Sequence, residues 1–570
     1  MTALNKTRAA IPLNRRGYYE SVILFVLFAV AVISWIPRLT GPIDLRYDAS
    51  TYYILGTSLA GGRGYRLLNE PGDIKATQYP PLLPLIVAAH QWVLGTHDTI
   101  IVAHWLRLTF FLIYIMYGWS VYFTIRQYLP LQYAFLVALI CLLSLYTYLM
   151  SNQLAPEILY ALTTTLFFLC HKKGDRRIYR SLSFLLATAS YALRTIGVAL
   201  FAAWVAEALL KKQFRRAILR LALSLIPIIC WQGYIHRVEA SHNYQHPAYE
   251  YQRADYLFYN VSYARNIFGL KDSFSPESGR ATLEDVVDRF LRNLKRMPAS
   301  IGEAVTVEKK VWVIPFSDNY PRKTGFALDL ILHILGGMIL GGVGLQLTRQ
   351  QWIIPLYLLL SIAVICLTPW PIQLVRYLTP LCPFLALALC TSLLYFKELS
   401  SKILSRTWKA TRVVFTASVV TLMLVQLLVV FYQAHTGWIA KVVYEARGGK
   451  KAQHPVFGYF PQERALNAGL DWLMDRAKSD EVVATSAPQW VYLRTGLKAI
   501  MPPFELTPER AQTLLDSVPV SYLFLDGSFT KKYTFTLIER YPNLWEEVYS
   551  TPGGGFRIYR RVNPQRNGGG

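Results

Sequence analysis

Long apolar runs separated by short, basic connections dominate the chain as far as residue 432, after which the pattern changes to the shorter alternation of a small polar domain. A helix needs about 20 apolar residues to cross a bilayer. By that measure the runs 21–36, 100–125, 131–150, 155–170, 217–234, 326–347, 352–370, 374–396 and 413–432 are expected to span, some of them short or tilted. The run 181–210 is long enough for two short helices, tilted or re-entrant, with Arg194-Thr195 near their outer turn. The stretch 80–94 is also apolar, but it is short and begins with Pro80-Pro81.

Charge decides what these ambiguous stretches do. The connections Lys172-Lys173-Gly174-Asp175-Arg176-Arg177 and Lys211-Lys212-Gln213-Phe214-Arg215-Arg216, and the segment 397–412, are basic and belong on the cytoplasmic side. If 80–94 crossed the membrane, the first of these loops would lie outside; an interfacial position restores the parity. The run 181–210 joins two inner loops and therefore crosses an even number of times. The count is then about 11 spans, with the N-terminus inside and the C-terminus outside. The first run follows Lys6, Arg8, Arg15 and Arg16, and Trp35-Ile36-Pro37-Arg38 offers no small-residue cleavage site, so an uncleaved first span is expected.

This topology makes 1–434 a transmembrane region with two outer loops, 37–99 and 236–325, the latter carrying an amphipathic helix around 283–297. The tail, 435–570, is expected to be a small extracytoplasmic α/β domain. Helices are expected at 462–477, 488–494, 508–515 and 533–541, alternating with a strand at 481–485 and the apolar stretches 498–501 and 520–525. A hairpin closes around Pro552-Gly553-Gly554-Gly555, whose glycines read as a turn because no helix follows to cradle a phosphate.

Composition sharpens the class. The 570 residues are 53% hydrophobic, 14% aromatic and 16% charged, with a mean hydropathy of +0.27, far too apolar for soluble domains. The net charge of +24 would suit nucleic acid, but in a membrane chain Lys and Arg gather in inner loops and meet anionic lipid, so no nucleic-acid partner is expected. All six cysteines lie in apolar runs, where they are helix-packing residues and leave the polar regions without a disulfide.

The outer face collects the candidate chemistry. Asp48 opens a helix at 48–59 on which Ala49, Tyr52, Tyr53, Gly56 and Leu59 mark a face toward the membrane. Glu157 opens the span 155–170, and Arg376 the span 374–396, both from outside. Ionisable groups at membrane depth are expensive, which makes each a functional candidate. Each also has a plainer reading. Asp48 could be a helix-capping or loop carboxylate, Glu157 a carboxylate favoured by the helix dipole, and Arg376 a side chain reaching to headgroups. Arg194 reads as a structural partner for one of the carboxylates. Tyr52, Tyr53 and Tyr79 could stack on a sugar or simply belong to the membrane belt. His236, His242 and His246 lack a strict ligand spacing, so no metal and no other cofactor is expected.

Several short motifs, taken in order, resemble one family. They are Tyr47-Asp48-Ala49-Ser50-Thr51-Tyr52-Tyr53, Leu59-Ala60-Gly61-Gly62-Arg63-Gly64-Tyr65, Tyr79-Pro80-Pro81-Leu82, Pro156-Glu157, Leu193-Arg194-Thr195-Ile196-Gly197 and Arg376-Tyr377-Leu378-Thr379-Pro380-Leu381-Cys382-Pro383. Together they resemble the C-type (GT-C) membrane glycosyltransferases, in particular the branch of protein O-mannosyltransferases and lipid A aminoarabinose transferases. The resemblance implies an inverting transferase that takes a sugar from a polyprenyl phosphate. Asp48 would act as the base. Arg376, with Arg194 or Lys75, would hold the phosphate, and Arg46, Tyr52, Tyr53, Tyr79 and Glu157 would bind substrate nearby. Many relatives carry two adjacent acids where Asp48 is followed by Ala49, which leaves the acceptor open among a glycan, a glycolipid and a protein.

Two other classes compete. A transporter or flippase of lipid-linked sugars would show inverted repeats and broken helices in matching places, and the sequence has no such symmetry. A noncatalytic assembly factor would tolerate replacement of Asp48. Short basic loops and the absence of a retention signal at the end favour a bacterial inner membrane over the endoplasmic reticulum.

Overall fold

The computed structural model describes residues 13–562 except 175, 307–308, 310–321, 403–416, 418–420, 422–423, 426–427, 430–438, 447–449, 458 and 553. The span expected at 413–432 therefore lies mostly outside the described residues. By contacts the chain forms two compact units, each gathered from three stretches of sequence. A helical unit takes Met1–Leu39, Leu108–Ile229 and Asp288–Gly437; a mixed unit takes Thr40–Arg107, Cys230–Val287 and Trp438–Gly570.

Among the described residues five helices are long and apolar enough to cross a membrane: Gly17–Arg38, Thr99–Ile125, Phe214–Glu239, Ala327–Thr348 and Pro371–Tyr395. The pair Leu131–Leu142 and Leu145–Ser151, bent by 56°, is a sixth candidate. Leu82–Leu94, Thr195–Leu210 and Ile353–Cys366 are apolar but shorter. The chain is an integral membrane protein.

Within the helical unit, the run 181–210 divides as its length implied. Arg177–Leu193 and Val198–Leu210 are separate helices, and Arg194 between them has extended backbone. Helix Arg322–Thr348 packs on Cys382–Lys402 through Gly342, where a Cβ atom would stand 1.9 Å from the Ala388 carbonyl oxygen. A small residue is what lets two helix backbones approach this closely.

In the mixed unit, Asp48–Ala60 and Leu82–Leu94 are the two helices of the first loop. They meet at Gly56, whose Cβ would lie 2.5 Å from that of Val87. Asp48–Ala60 also packs on the helix Pro488–Thr495, and protein buries it on nearly every side. Its polar positions survive burial because their hydroxyls find local carbonyls, Ser50 Oγ that of Tyr47 and Ser58 Oγ that of Gly64.

The tail carries a five-stranded sheet in the order 498–500, 482–484, 520–525, 557–561, 545–550. The first three strands are parallel and the last two antiparallel, the final pair forming the hairpin expected around the glycine turn. Helices Pro461–Met474, Pro488–Thr495, Pro508–Asp516 and Lys531–Arg540 alternate with the strands. An antiparallel hairpin, Ile439–Ala446 with Lys450–Phe457, precedes them and has no counterpart in the sequence reading.

The tail shares its core with the large loop: Tyr249, Tyr251 and Leu257 pack with Ile500, Leu515, Val520, Leu523 and Leu537. The first loop covers the open edge of the sheet. Ala499 N–H donates to the Asn69 carbonyl at 2.8 Å, Asn69 Nδ2 donates to the Ala499 carbonyl at 3.2 Å, and Lys498 Nζ reaches the Leu68 carbonyl at 2.6 Å. A sheet edge left bare invites pairing with another chain.

Candidate functional site

The mixed unit builds its cluster around Asp48. Just before it, Arg46 turns back on Asp44 as a fork, with Nε 3.0 Å from Oδ1 and Nη2 2.7 Å from Oδ2, while the Asp44 Oδ1 also accepts the Arg46 N–H at 3.0 Å. The same Nη2 donates to the Phe457 carbonyl at 2.7 Å. Burial works against the Arg46 charge, but the adjacent Asp44 carboxylate outweighs it and holds the pKa above the ordinary guanidinium value. Tyr47 follows with φ 59° and ψ −134°, a backbone conformation that non-glycine residues avoid. Its phenol donates to Glu463 Oε1 at 2.6 Å, and burial, followed by the Glu463 carboxylate, pushes the phenol pKa up, so it remains a donor.

Asp48 itself is half-buried at the first position of its helix, and its Oδ1 accepts the Tyr259 hydroxyl at 2.9 Å. Tyr79 stands between two other rings, with its centroid 6.3 Å from Tyr259 and 4.6 Å from Tyr52. The carboxylate therefore adjoins a run of three tyrosines. Tyr53 is buried, with its hydroxyl on the His97 carbonyl at 3.1 Å. Lys75 is exposed on the short strand Ile74–Lys75, and its ammonium makes no ion pair among the described residues.

The helical unit builds a different cluster. Glu157 opens the helix Glu157–Lys172 and is 1% exposed. Its Oε1 accepts Arg376 Nε at 2.7 Å and lies 3.0 Å from Arg194 Nη1, and the Arg194 guanidinium sits 5.1 Å from the Tyr377 ring centroid. The Arg194 break brings one arginine in from between two helices, and the short helix Leu374–Leu378 brings the other. Arg194 is thus the partner of a carboxylate, as its cost of burial implied.

The structure accordingly sorts the sequence candidates into two groups: Arg46, Asp48, Tyr52, Tyr53, Lys75 and Tyr79 in the mixed unit, and Glu157, Arg194 and Arg376 in the helical unit. Tyr259 and Glu463 were not found by sequence reasoning. Tyr259 lies in an aromatic stretch, Tyr256-Leu257-Phe258-Tyr259, but nothing local ties it to Asp48. Among the described residues no group of three or more His, Cys, Asp or Glu side chains could hold a metal. His242 and His246 stack on one another, with centroids 4.2 Å apart.

Comparison with protein-family models and with curated proteins finds no match. Solved structures do match. The chain is similar to the oligosaccharyltransferase AglB from Archaeoglobus fulgidus in complex with an inhibitory peptide and a dolichol-phosphate, at 11% identity over 97% of this chain and 75% of that one, with a TM-score of 0.50. An Archaeoglobus fulgidus oligosaccharyltransferase in complex with Zn and sulfate matches at 13% identity over 94% and 73%, also at 0.50. ArnT from Cupriavidus metallidurans bound to undecaprenyl phosphate aligns at 10% identity over 96% and 98%, with a TM-score of 0.41. At these identities the likeness speaks for the fold, and the fold is the GT-C membrane fold of the archaeal oligosaccharyltransferase, as the order of the motifs implied.

Proposed function

We propose that this chain is an inverting glycosyltransferase that moves a sugar from a polyprenyl phosphate to an acceptor hydroxyl at the outer face of a membrane, a bacterial inner membrane by its short basic loops. The observation that carries the reading is Asp48, a half-buried carboxylate on a helix start, hydrogen-bonded to Tyr259 and flanked by tyrosine rings. A carboxylate so placed can take the proton of an acceptor hydroxyl. The acceptor oxygen then bonds to the anomeric carbon, the bond from that carbon to the phosphate oxygen breaks, and polyprenyl phosphate departs with the electron pair. One displacement inverts the anomeric centre.

The leaving group is an anion, and the helical unit carries two guanidiniums in one cluster. Arg194 and Arg376 stand together beside Glu157, two guanidiniums of the kind that hold a phosphate. The two roles are assigned on each cluster's own geometry. The shared fold with an oligosaccharyltransferase whose structure holds dolichol-phosphate supports a polyprenyl-phosphate donor. No step is assigned to a metal.

The test uses purified protein in lipid, radiolabelled polyprenyl-phosphate sugars and a membrane extract as acceptor. Asp48→Asn should lower transfer by about 10²- to 10⁴-fold while donor binding persists. Equal transfer by both proteins would remove Asp48 from the mechanism.

A further inference from the structure

We infer that Asp48 is held in place by a three-point frame drawn from distant parts of the mixed unit, with Tyr259, Glu463 and the Phe457 carbonyl as its positioning groups. The inference rests on the reading of Asp48 as the base. Each point acts on a successive residue. The Phe457 carbonyl takes Arg46 Nη2 at 2.7 Å, Glu463 takes the Tyr47 hydroxyl at 2.6 Å, and the Tyr259 hydroxyl reaches Asp48 itself at 2.9 Å.

The middle point carries the argument furthest. Tyr47 has φ 59°, a conformation that costs a non-glycine residue about 1–3 kcal/mol and persists only where neighbours over-determine it. Two contacts do so: the phenol is tied to Glu463, and the Tyr47 carbonyl accepts Ser50 Oγ at 2.6 Å. Turning Tyr47 this way sets the direction in which the chain enters the helix, and so where the next side chain, Asp48, emerges.

Tyr259 is fixed in turn by other rings. Its centroid is 4.5 Å from that of Phe258, and Phe258 stands 6.3 Å from Phe529, which lies beyond the end of the strand 520–525. The tail thus reaches the start of this helix three times, through the Phe457 carbonyl on Arg46, through Glu463 on Tyr47 and through Phe529 behind Tyr259. A shift of about 1 Å at a reacting group can cost 10²-fold in rate, so such contacts act on turnover more than on binding.

The experiment measures transfer by the full chain in lipid for Tyr259→Phe, Tyr47→Phe, Glu463→Ala and the Tyr47→Phe/Glu463→Ala double variant, beside Asp48→Asn. Tyr259→Phe should lower kcat by about 10- to 100-fold with the donor KM within about 2-fold. Tyr47→Phe and Glu463→Ala should each lower kcat by a similar factor, and the double variant should be no slower than the slower single one, because both remove the same bond. If Glu463→Ala loses its folded structure, Tyr47→Phe, which keeps the ring, carries the test. Unchanged kcat in Tyr259→Phe and Tyr47→Phe, with transfer lost in Asp48→Asn, would overturn the frame and leave the base in place. Full transfer by Asp48→Asn would overturn both.

Discussion

In the mixed unit every carboxylate near the helix start has a partner of its own: Asp44 takes Arg46, Glu463 takes Tyr47, and Asp48 takes Tyr259. In the helical unit one oxygen of Glu157 serves two guanidiniums, at 2.7 and 3.0 Å. The first arrangement sets three carboxylates beside one guanidinium, and two of the three pairings come from neutral phenols. The second shares a single acid, 1% exposed, between two cations. A neutral hydrogen bond to a carboxylate, by contrast, fixes direction at little electrostatic cost. The two clusters therefore differ in how they pair their acids, one sharing a carboxylate between two cations and the other giving each carboxylate its own donor.

That contrast can be broken most sharply at Glu157. Glu157→Gln would take from Arg194 and Arg376 the carboxylate they share, and should destabilise the protein by about 3–5 kcal/mol, read as a drop in the thermal midpoint in lipid or detergent. Arg376→Gln should cost roughly half of that or less, since the Glu157–Arg194 pair remains, while transfer falls if Arg376 holds the donor phosphate as proposed. Equal losses of stability in the two variants would mean that the shared carboxylate has no special bearing on the fold.

A smaller effect tests the mixed unit's way of burying an acid. Glu70 is 2% exposed and accepts the Tyr249 hydroxyl at 2.8 Å and Gln252 Nε2 at 3.2 Å. Burial pushes its pKa up from the ordinary 4.5, more than these donors pull it down. The folded state therefore holds the proton more tightly than the unfolded chain. The resulting stability is fully present below about pH 4.5 and is lost as the pH rises through the folded value. Glu70→Gln keeps an acceptor for both donors without the charge. It should flatten the fall in stability above pH 4.5 and raise the thermal midpoint at pH 7 by about 2 °C. An unaltered slope would assign the pH dependence to another group.

What could be read in the sequence was local or compositional. The tail's helices and strands followed from turn residues and apolar period, as at Pro488–Thr495 between Val482–Ala484 and Lys498–Ile500. The break at Arg194 followed from loop charge and length. The Arg194 partnership followed from the expense of a charge at depth, though spacing could not say that Arg376 shares the same oxygen. The contacts that set Asp48 were beyond reach for a different reason: Tyr259 is 211 residues away and the Tyr47 bond to Glu463 spans 416. Bonds at such distances leave no periodic trace. The hairpin Ile439–Phe457 escaped similarly, because its strands carry charges, such as Lys441, Glu445 and Lys451, where an apolar alternation would have marked them. The burial of the helix Asp48–Ala60 was masked by Ser50, Thr51 and Ser58, polar residues that a periodicity reading turns outward and that the fold encloses.

The seam between Asn69 and Ala499 joins positions 430 residues apart. A ribosome adding about 5–20 residues per second reaches the second position roughly 20 to 90 s after the first. Through that interval the first loop exists, but neither the sheet edge that it covers nor the groups that hold Tyr47 have yet been made. Assembly of the surroundings of Asp48 is therefore a closing event of synthesis. In pulse-labelled cells, protease resistance of the segment 40–107 should arise only once full-length chains are released, and resistance gained before residue 438 is made would exclude this order of events.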